Sequence, residues 1–320
     1  MIIVTGSNGF IGSNLISQLN KIGKNDILAV DDHSNKELKK NIMDLSVSQR
    51  IGIEEFLDMI LKGEFKAKKV TSIFHQGACS DTLEWDVDYM LKNNFSYSKV
   101  LLDFAEQGNI PFFYASSASI YGAGTVFSEE KENENPVNLY AYSKYLFDQL
   151  VRNRLKKGSS QIVGMRYFNV YGPHESHKGH MASVAYHLHQ QLKKGDNIKL
   201  FKGSDGFEDG EQRRDFIHVD DVIKVNIWFL NNQNISGIFN VGTGKSQTFN
   251  EVANAVIDWN KKGSIQYISF PEKLIGSYQS FTEADLSNLR EAGYKENFMD
   301  VETGIKKYLD VLEDWSKNEY

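Results

Sequence analysis

Val4-Thr5-Gly6-Ser7-Asn8-Gly9-Phe10-Ile11-Gly12 is the stretch whose reading decides the fold. It follows the β-branched run Ile2 to Thr5, which suits a short buried parallel strand. It leads into Ile11, Leu15, Ile16 and Leu19, which recur at helical spacing. Gly6, Gly9 and Gly12 therefore stand where a strand becomes a helix. Glycine at such a turn lets the backbone approach a pyrophosphate closely. The helix N-terminus adds N–H donors and a favourable dipole. The spacing is G-x-x-G-x-x-G, and a glycine triplet alone also describes a plain strand–helix turn. Position and context point to dinucleotide binding.

The alternation continues outward from this turn. Ile27 to Val30 reads as a second strand ending at Asp31-Asp32, and Val70 to His75 and Ile110 to Ser117 as further strands. Tyr140 to Asn153 is helical, and Gln161 to Phe168 is another strand. Repetition of this kind implies an α/β, Rossmann-type doubly wound parallel sheet. After Pro173 the character changes. Ala182 to Leu192, Val222 to Phe229, Phe249 to Trp259 and Val301 to Trp315 read as helices. Asp215 to Val219 and Ile238 to Val241 read as strands, and Gly203 to Gly210 as an acidic, glycine-rich loop. We expect a Rossmann lobe over 1–170 with 215–247, and a smaller C-terminal substrate-binding lobe over 171–214 with 248–320.

Asp31 lies at the end of the second strand, about 20 residues beyond the glycines, where a carboxylate accepts hydrogen bonds from an adenine ribose and favours NAD. His33, Lys36, Lys39 and Lys40 follow closely. Cations there suit a 2′-phosphate, although lysines in such a run also make an ordinary solvated face. NAD and NADP both stay open on these residues.

Bulk properties exclude other classes. The chain has 320 residues, 41% hydrophobic and 24% charged, as a soluble globular protein does. Its net charge of -6 lacks the basic footprint of nucleic-acid binding. No apolar run approaches the roughly 20 residues that cross a bilayer. No charged leader precedes Met1-Ile2-Ile3-Val4, so we expect a cytoplasmic protein with no membrane partner. The single cysteine, Cys79, rules out an intramolecular disulfide framework.

The second informative motif is Tyr140-Ala141-Tyr142-Ser143-Lys144. Tyr140 and Lys144 share a helix face at i and i+4. A free tyrosine has a pKa near 10, and lowering it by about 3 units takes roughly 4 kcal/mol. An adjacent ammonium and a cationic nicotinamide are expected to supply this. Tyr140 then exchanges a proton with a substrate hydroxyl while hydride moves to the nicotinamide. Tyr114-Ala115-Ser116-Ser117-Ala118 ends a strand at the sheet edge where such folds bind ligands, and Ser117 is placed to bond the reacting oxygen. The plain alternative is that the tyrosine and lysine are helix-surface residues.

The glycine loop, the strand-end serine and the Y-x-x-x-K helix together resemble the extended short-chain dehydrogenase/reductase family. Arg214-Asp215-Phe216-Ile217-His218-Val219-Asp220-Asp221 is similar to a later signature of that family. The resemblance implies a nicotinamide cofactor, a nucleotide-sugar substrate and a homo-oligomer. Dehydratases of the family carry an Asp-Glu pair after the strand-end hydroxyl. Ala118 and Ser119 stand there, which leaves epimerase or reductase. His75-Gln76-Gly77-Ala78-Cys79-Ser80 and Arg166 through Val184, with His177-Lys178-Gly179 and Met181-Ala182-Ser183 inside it, resemble the signatures of the ADP-glyceromanno-heptose 6-epimerases. That subfamily inverts C6 of the heptose through a transient 6-keto sugar, in making a lipopolysaccharide core precursor.

The same resemblance distributes roles. Tyr140 and Lys178 become the two acid/base residues, with Lys144 and Ser117 beside Tyr140. Lys178 as a plain phosphate or cofactor contact is the alternative. The cofactor, NADP first and NAD second, is implied to lie along Phe10, Ile11, Asp31, Asp32, Lys39, Gln76, Gly77, Ala78, Cys79, Ser80, Asn93, Lys144, Val170 and Lys178. The substrate is implied to meet Asn169, His180, His187, Phe201, Lys202, Gly203, Ser204, Arg214 and Tyr278. Arg214 suits the phosphates because a guanidinium matches their geometry, and an ion pair with Asp215 or Asp220 is its alternative. The chain departs from the pattern at Gln76, His180, Leu38 and Ile53, and over Asp205 to Gln212.

Two further readings were weighed. Five of the eight histidines fall between His174 and His189, but nothing completes a metal-ligand set and the region is loop-like, so no metal is expected. A dinucleotide-sensing scaffold has little need of Ser117, Tyr140, Lys144 and Lys178 together. A different nucleotide-sugar epimerase or reductase is the stronger alternative.

Overall fold

A computed structural model describes residues 1–158, 160–271 and 279–318. Tyr278 lies outside them. The strands are β1 (Ile2–Thr5), β2 (Ile27–Val30), β3 (Gln49–Ile51), β4 (Ser72–His75), β5 (Phe112–Ser117), β6 (Ile162–Tyr167), β7 (Asn169–Tyr171), β8 (Asn197–Phe201), β9 (Arg213–Arg214), β10 (Phe216–His218), β11 (Gly237–Val241), β12 (Gln247–Thr248) and β13 (Ser264–Ile268). The α-helices are α1 (Phe10–Lys21), α2 (Lys36–Lys40), α3 (Ile53–Leu61), α4 (Val87–Leu91), α5 (Tyr97–Gln107), α6 (Leu139–Leu155), α7 (Val184–Lys194), α8 (Val219–Asn231), α9 (Phe249–Asn260), α10 (Ser287–Glu291) and α11 (Val301–Asn318).

Seven strands form one sheet in the order β11-β6-β5-β4-β1-β2-β3. The pairs β1–β2, β1–β4, β2–β3 and β4–β5 are parallel. This is the doubly wound order, with the chain reversing direction across the sheet between β1 and β4. The strand ends at that reversal carry the glycine loop and His75. The core explains the pattern: Ile3, Leu28, Ile73 and Phe112 from the strands meet Leu101, Leu102, Phe147 and Val151 from α5 and α6, all buried. Asn138 starts α6 by accepting a bond from the Ala141 N–H at 2.8 Å, which fixes the register of the helix bearing Tyr140.

The chain divides into two compact units, 1–122 with 134–166 and 223–239, and 123–133 with 167–222 and 240–320. The return to the first unit is thus shorter than 215–247, and three physical causes can be named. First, β7 pairs with β10 in a small parallel sheet of the second unit. Second, the Asp215 carboxylate is filled by Thr243 N and Oγ1, Gly244 N and Ala284 N at 2.7–3.0 Å, which holds 240–247 there. Third, Asn240 donates from its side chain to the Phe127 carbonyl at 2.6 Å, and Glu129 takes its backbone N–H at 2.6 Å. The 123–133 loop is joined to the second unit by these bonds. That unit has its own core of Leu188, Leu192, Ile198, Val252, Val256, Ile305 and Leu309. β13 pairs in parallel with β8, and α9 begins with a capping box of Thr248 and Glu251.

Candidate active site

The phosphate cradle is built by backbone packed on backbone. Gly6 has φ +64°, and a Cβ there would lie 2.6 Å from the Gly77 nitrogen. A Cβ on Gly12 would lie 2.1 Å from the Gly6 oxygen. Gly9 is the N-cap of α1 and no side chain caps that end. The donor set and the close backbone fit a pyrophosphate. Asp31 is held against the same loop, its carboxylate accepting from Asn8 N at 2.7 Å and Asp32 N at 2.8 Å. Burial pushes its carboxyl up, and these two bonds oppose the shift. Asn8 also donates from its side chain to the Asp32 carbonyl at 3.2 Å. Lys39 is exposed on α2.

His75 to Ser80 form the adjoining wall. The Thr5 hydroxyl lies 2.7 Å from His75 Nδ1 and accepts from Gly77 N at 3.2 Å; because Ser98 Oγ gives its proton to the Asn94 carbonyl, His75 Nε2 carries the ring hydrogen and Nδ1 accepts from Thr5. His75 Nε2 lies 2.7 Å from Ser98 Oγ. Burial, with the Lys144 charge as a second cause, holds His75 down to about 3 and therefore neutral. Gln76 donates to Asn226 at 3.3 Å. Asn93 sits in a π-type turn over Lys92–Ser96 and donates to the Tyr89 carbonyl at 2.8 Å.

Ser117, Tyr140 and Lys144 are brought together in the first unit. Ser117 Oγ accepts from Ser119 N at 3.2 Å and Ser119 Oγ at 2.9 Å, which orients its own proton. A hydrogen bond from Ser117 favours the Tyr140 phenolate, but burial acts more strongly and raises this phenol above its ordinary value. The Lys144 ammonium donates to the Ala115 carbonyl at 2.9 Å. Burial lowers it to about 8, against the opposing charge of Asp148.

The other expected residues belong to the second unit. Lys178 lies in a 3₁₀ segment, Ser176–Met181, broken at Gly179 with φ +54°. Burial lowers its pKa and Glu175 opposes that shift. His180 is exposed, and its carbonyl lies 3.4 Å from the His187 ring. Asn169 N donates to the Asp215 carbonyl at 3.0 Å, and Val170 pairs with Ile217. Phe201 ends β8, and Lys202 N donates to the Ile268 carbonyl at 2.8 Å. Gly203 N donates to Asp209 at 2.8 Å, and Gln212 donates to Ser204 at 3.1 Å. Arg214 is buried on β9. Asp215 is occupied by its four donors, and Asp220 pairs with Lys307 at 2.5 Å. Among the described residues no cluster of His, Cys, Asp or Glu is arranged to hold a metal, and no helix is long and apolar enough to cross a membrane.

Two contributors escape sequence reasoning. Asn94 accepts from Cys79 N at 2.8 Å and donates to the Cys79 carbonyl at 2.9 Å and to Ser143 at 3.0 Å. It thereby clamps the 75–80 segment to the helix of Tyr140. Asp148 gathers Tyr114, Ser116 and Arg166 at 2.8–3.0 Å in a buried cluster behind Lys144.

Comparison with known proteins places this arrangement. The model of the NAD dependent epimerase/dehydratase family matches residues 2–242. An ADP-L-glycero-D-manno-heptose-6-epimerase of Alkalilimnicola ehrlichii is 50% identical over 314 residues, covering 98% of each chain. The crystal structure of the Helicobacter pylori ADP-L-glycero-D-manno-heptose-6-epimerase superposes with TM-score 0.82 at 29% identity, covering 98% of this chain and 96% of that one. The Thermus thermophilus UDP-glucose 4-epimerase in complex with NAD superposes with TM-score 0.78 at 26% identity, covering 97% of each. The glycine cradle, the neutral His75 wall and the Ser117–Tyr140–Lys144 set stand in a chain that belongs to the NAD-dependent epimerase/dehydratase family.

Proposed function

We propose that this chain is a heptose 6-epimerase that converts ADP-D-glycero-β-D-manno-heptose to ADP-L-glycero-β-D-manno-heptose, a step toward a lipopolysaccharide core precursor. The observation that carries the reading is 50% identity across 98% of the chain to a heptose 6-epimerase, in a sequence that carries Ser117, Tyr140, Lys144 and Lys178. A nicotinamide held at the glycine loop would supply the hydride acceptor for C6 and the donor to the opposite face. Tyr140 takes the proton of the C6 hydroxyl in one epimer, and Ser117 bonds the same oxygen. Lys144 holds a positive charge beside Tyr140 and steadies the phenolate. A single base serves one orientation of that hydroxyl. Lys178 serves the other epimer, and burial, by lowering its pKa, favours its neutral amine.

Arg214, with Asn169, His180, His187 and 201–204, is assigned to the ADP-heptose. For the dinucleotide, NADP comes first on the subfamily pattern, with Lys39 as the cation for a 2′-phosphate. Asp31 argues for NAD, because its carboxylate would repel that phosphate. Function in the cytoplasm as a homo-oligomer belongs to the same proposal.

The test is a pair of variants. Tyr140→Phe and Lys178→Met each abolish epimerisation while the purified protein keeps its nicotinamide. Parental turnover in either variant removes that residue from the mechanism.

A further inference from the structure

Lys178 sits on a loop whose backbone φ is positive at two points, costly at the histidine and free at the glycine. His174 has φ +72° and Gly179 has φ +54°. Such a loop holds one shape only if something else determines it. The Glu175 side chain is buried in the middle of this loop, 1% exposed. Its Oε1 accepts from Gly172 N at 3.2 Å and Ser183 Oγ at 2.7 Å, and its Oε2 accepts from Ser183 N at 2.5 Å. One carboxylate therefore ties the first residue of the loop to the last. Ser183 is also the N-cap of α7, accepting from Tyr186 N at 3.2 Å. Glu175 thus fixes the loop against the helix that bears His187. Its own carbonyl takes the Lys178 N–H at 2.9 Å.

We propose that Glu175 is the positioning residue for Lys178: its buried carboxylate staples the 172–183 loop and sets both the place and the charge state of that amine. This rests on Lys178 being the second acid/base residue. The charge of Glu175 favours the Lys178 ammonium and opposes its burial. The other titratable groups near Glu175 are Tyr186 on α7 and Tyr308 on α11, whose phenols burial pushes up, so both stay neutral. His174, stacked on Trp315 at 5.0 Å, is held down to about 4 by burial and is also neutral. No glutamine can replace the staple, because an amide offers one oxygen where three donors converge.

The experiment compares Glu175→Gln, Glu175→Asp and Lys178→Met, alone and with Glu175→Gln added to Lys178→Met, in the purified protein with its own nicotinamide. Misplacement of an acid/base group by about 1 Å costs on the order of 10²-fold in rate. Glu175→Gln is expected to lower kcat by about that factor, with KM and nicotinamide content unchanged. The acidic limb of kcat, where Lys178 sheds its proton, moves to lower pH because the carboxylate that favours the ammonium is gone. Glu175→Asp keeps the charge and loses the reach, so it is slow without that shift. The double variant is no slower than Lys178→Met. A parental kcat in Glu175→Gln overturns the inference, as does a joint fall in nicotinamide content and substrate affinity with an unmoved limb. If Glu175→Gln does not fold, Ser183→Ala removes one bond of the staple. A fall in kcat at constant KM then supports the inference, and a parental kcat overturns it. Turnover by Lys178→Met alone at the parental rate overturns the acid/base reading itself, and is seen in that single variant.

Discussion

Replacing Gly12 by alanine tests whether the cradle depends on backbone contact. The added Cβ would lie 2.1 Å from the Gly6 oxygen and 2.8 Å from its carbonyl carbon, where ordinary contact begins at 3.4 Å. Both obstacles are main-chain atoms, so no side chain can swing aside. The start of α1 must therefore retreat from the loop by roughly 1 Å or the loop must open. Overpacking of this kind costs about 1–3 kcal/mol. At about 2–4 °C per kcal/mol for a chain approaching this size, the melting temperature should fall by roughly 3–10 °C. The same shift moves the N–H donors away from the pyrophosphate, so the variant should purify with less nicotinamide per chain. The assay is a thermal melt together with quantitation of the dinucleotide released on denaturation. Gly195→Ala is the control, because a Cβ there meets nothing within 4 Å. A Gly12→Ala protein with parental melting temperature and full nicotinamide content would refute the reasoning.

Three other outcomes follow from the geometry. Lys144 titrates near 8 because burial disfavours its charge, so the ammonium that steadies the Tyr140 phenolate is present below that pH and lost above it. A kcat profile should fall with unit slope above about pH 8, and a rate flat to high pH contradicts the role. Arg166 is fully buried against Asp148 and Glu134. Arg166→Met takes the guanidinium from Asp148, which keeps its Tyr114 and Ser116 donors, and from Glu134, which keeps Arg152; it should cost about 3–5 kcal/mol in a urea melt, and a loss under about 1 kcal/mol would show the cluster to be dispensable. Asp31→Asn removes a negative charge from the ribose end and should raise the affinity for NADP relative to NAD by roughly tenfold, read by titration of cofactor-stripped protein; an unchanged ratio removes Asp31 from cofactor choice.

The parts of the fold that were legible are those in which one short segment carries its own reason. The glycine loop announces a strand, a turn and a helix within nine residues. Tyr140 and Lys144 need only helical periodicity to share a face. β8 and β13 were not foreseen because each is five residues long and gains its place by pairing with the other across the sequence. Glu175, Asn94 and Asp215 were illegible for a related reason. Each acts by accepting or donating bonds to residues brought near by folding, and nothing in its neighbours specifies them. Asp215 looked like part of a signature or an ion pair for Arg214; its carboxylate instead binds four donors from two distant loops. The expected lowering of Tyr140 counts an ammonium and a cationic nicotinamide; the strength of the burial that opposes it in the chain alone is set only by folding.

The most direct measurement is proton NMR of ADP-D-glycero-β-D-manno-heptose incubated with the purified protein and no added nicotinamide. The account predicts conversion to a mixture of the two C6 epimers, with the dinucleotide neither consumed nor released. No conversion, even after NAD and NADP are supplied, would contradict it.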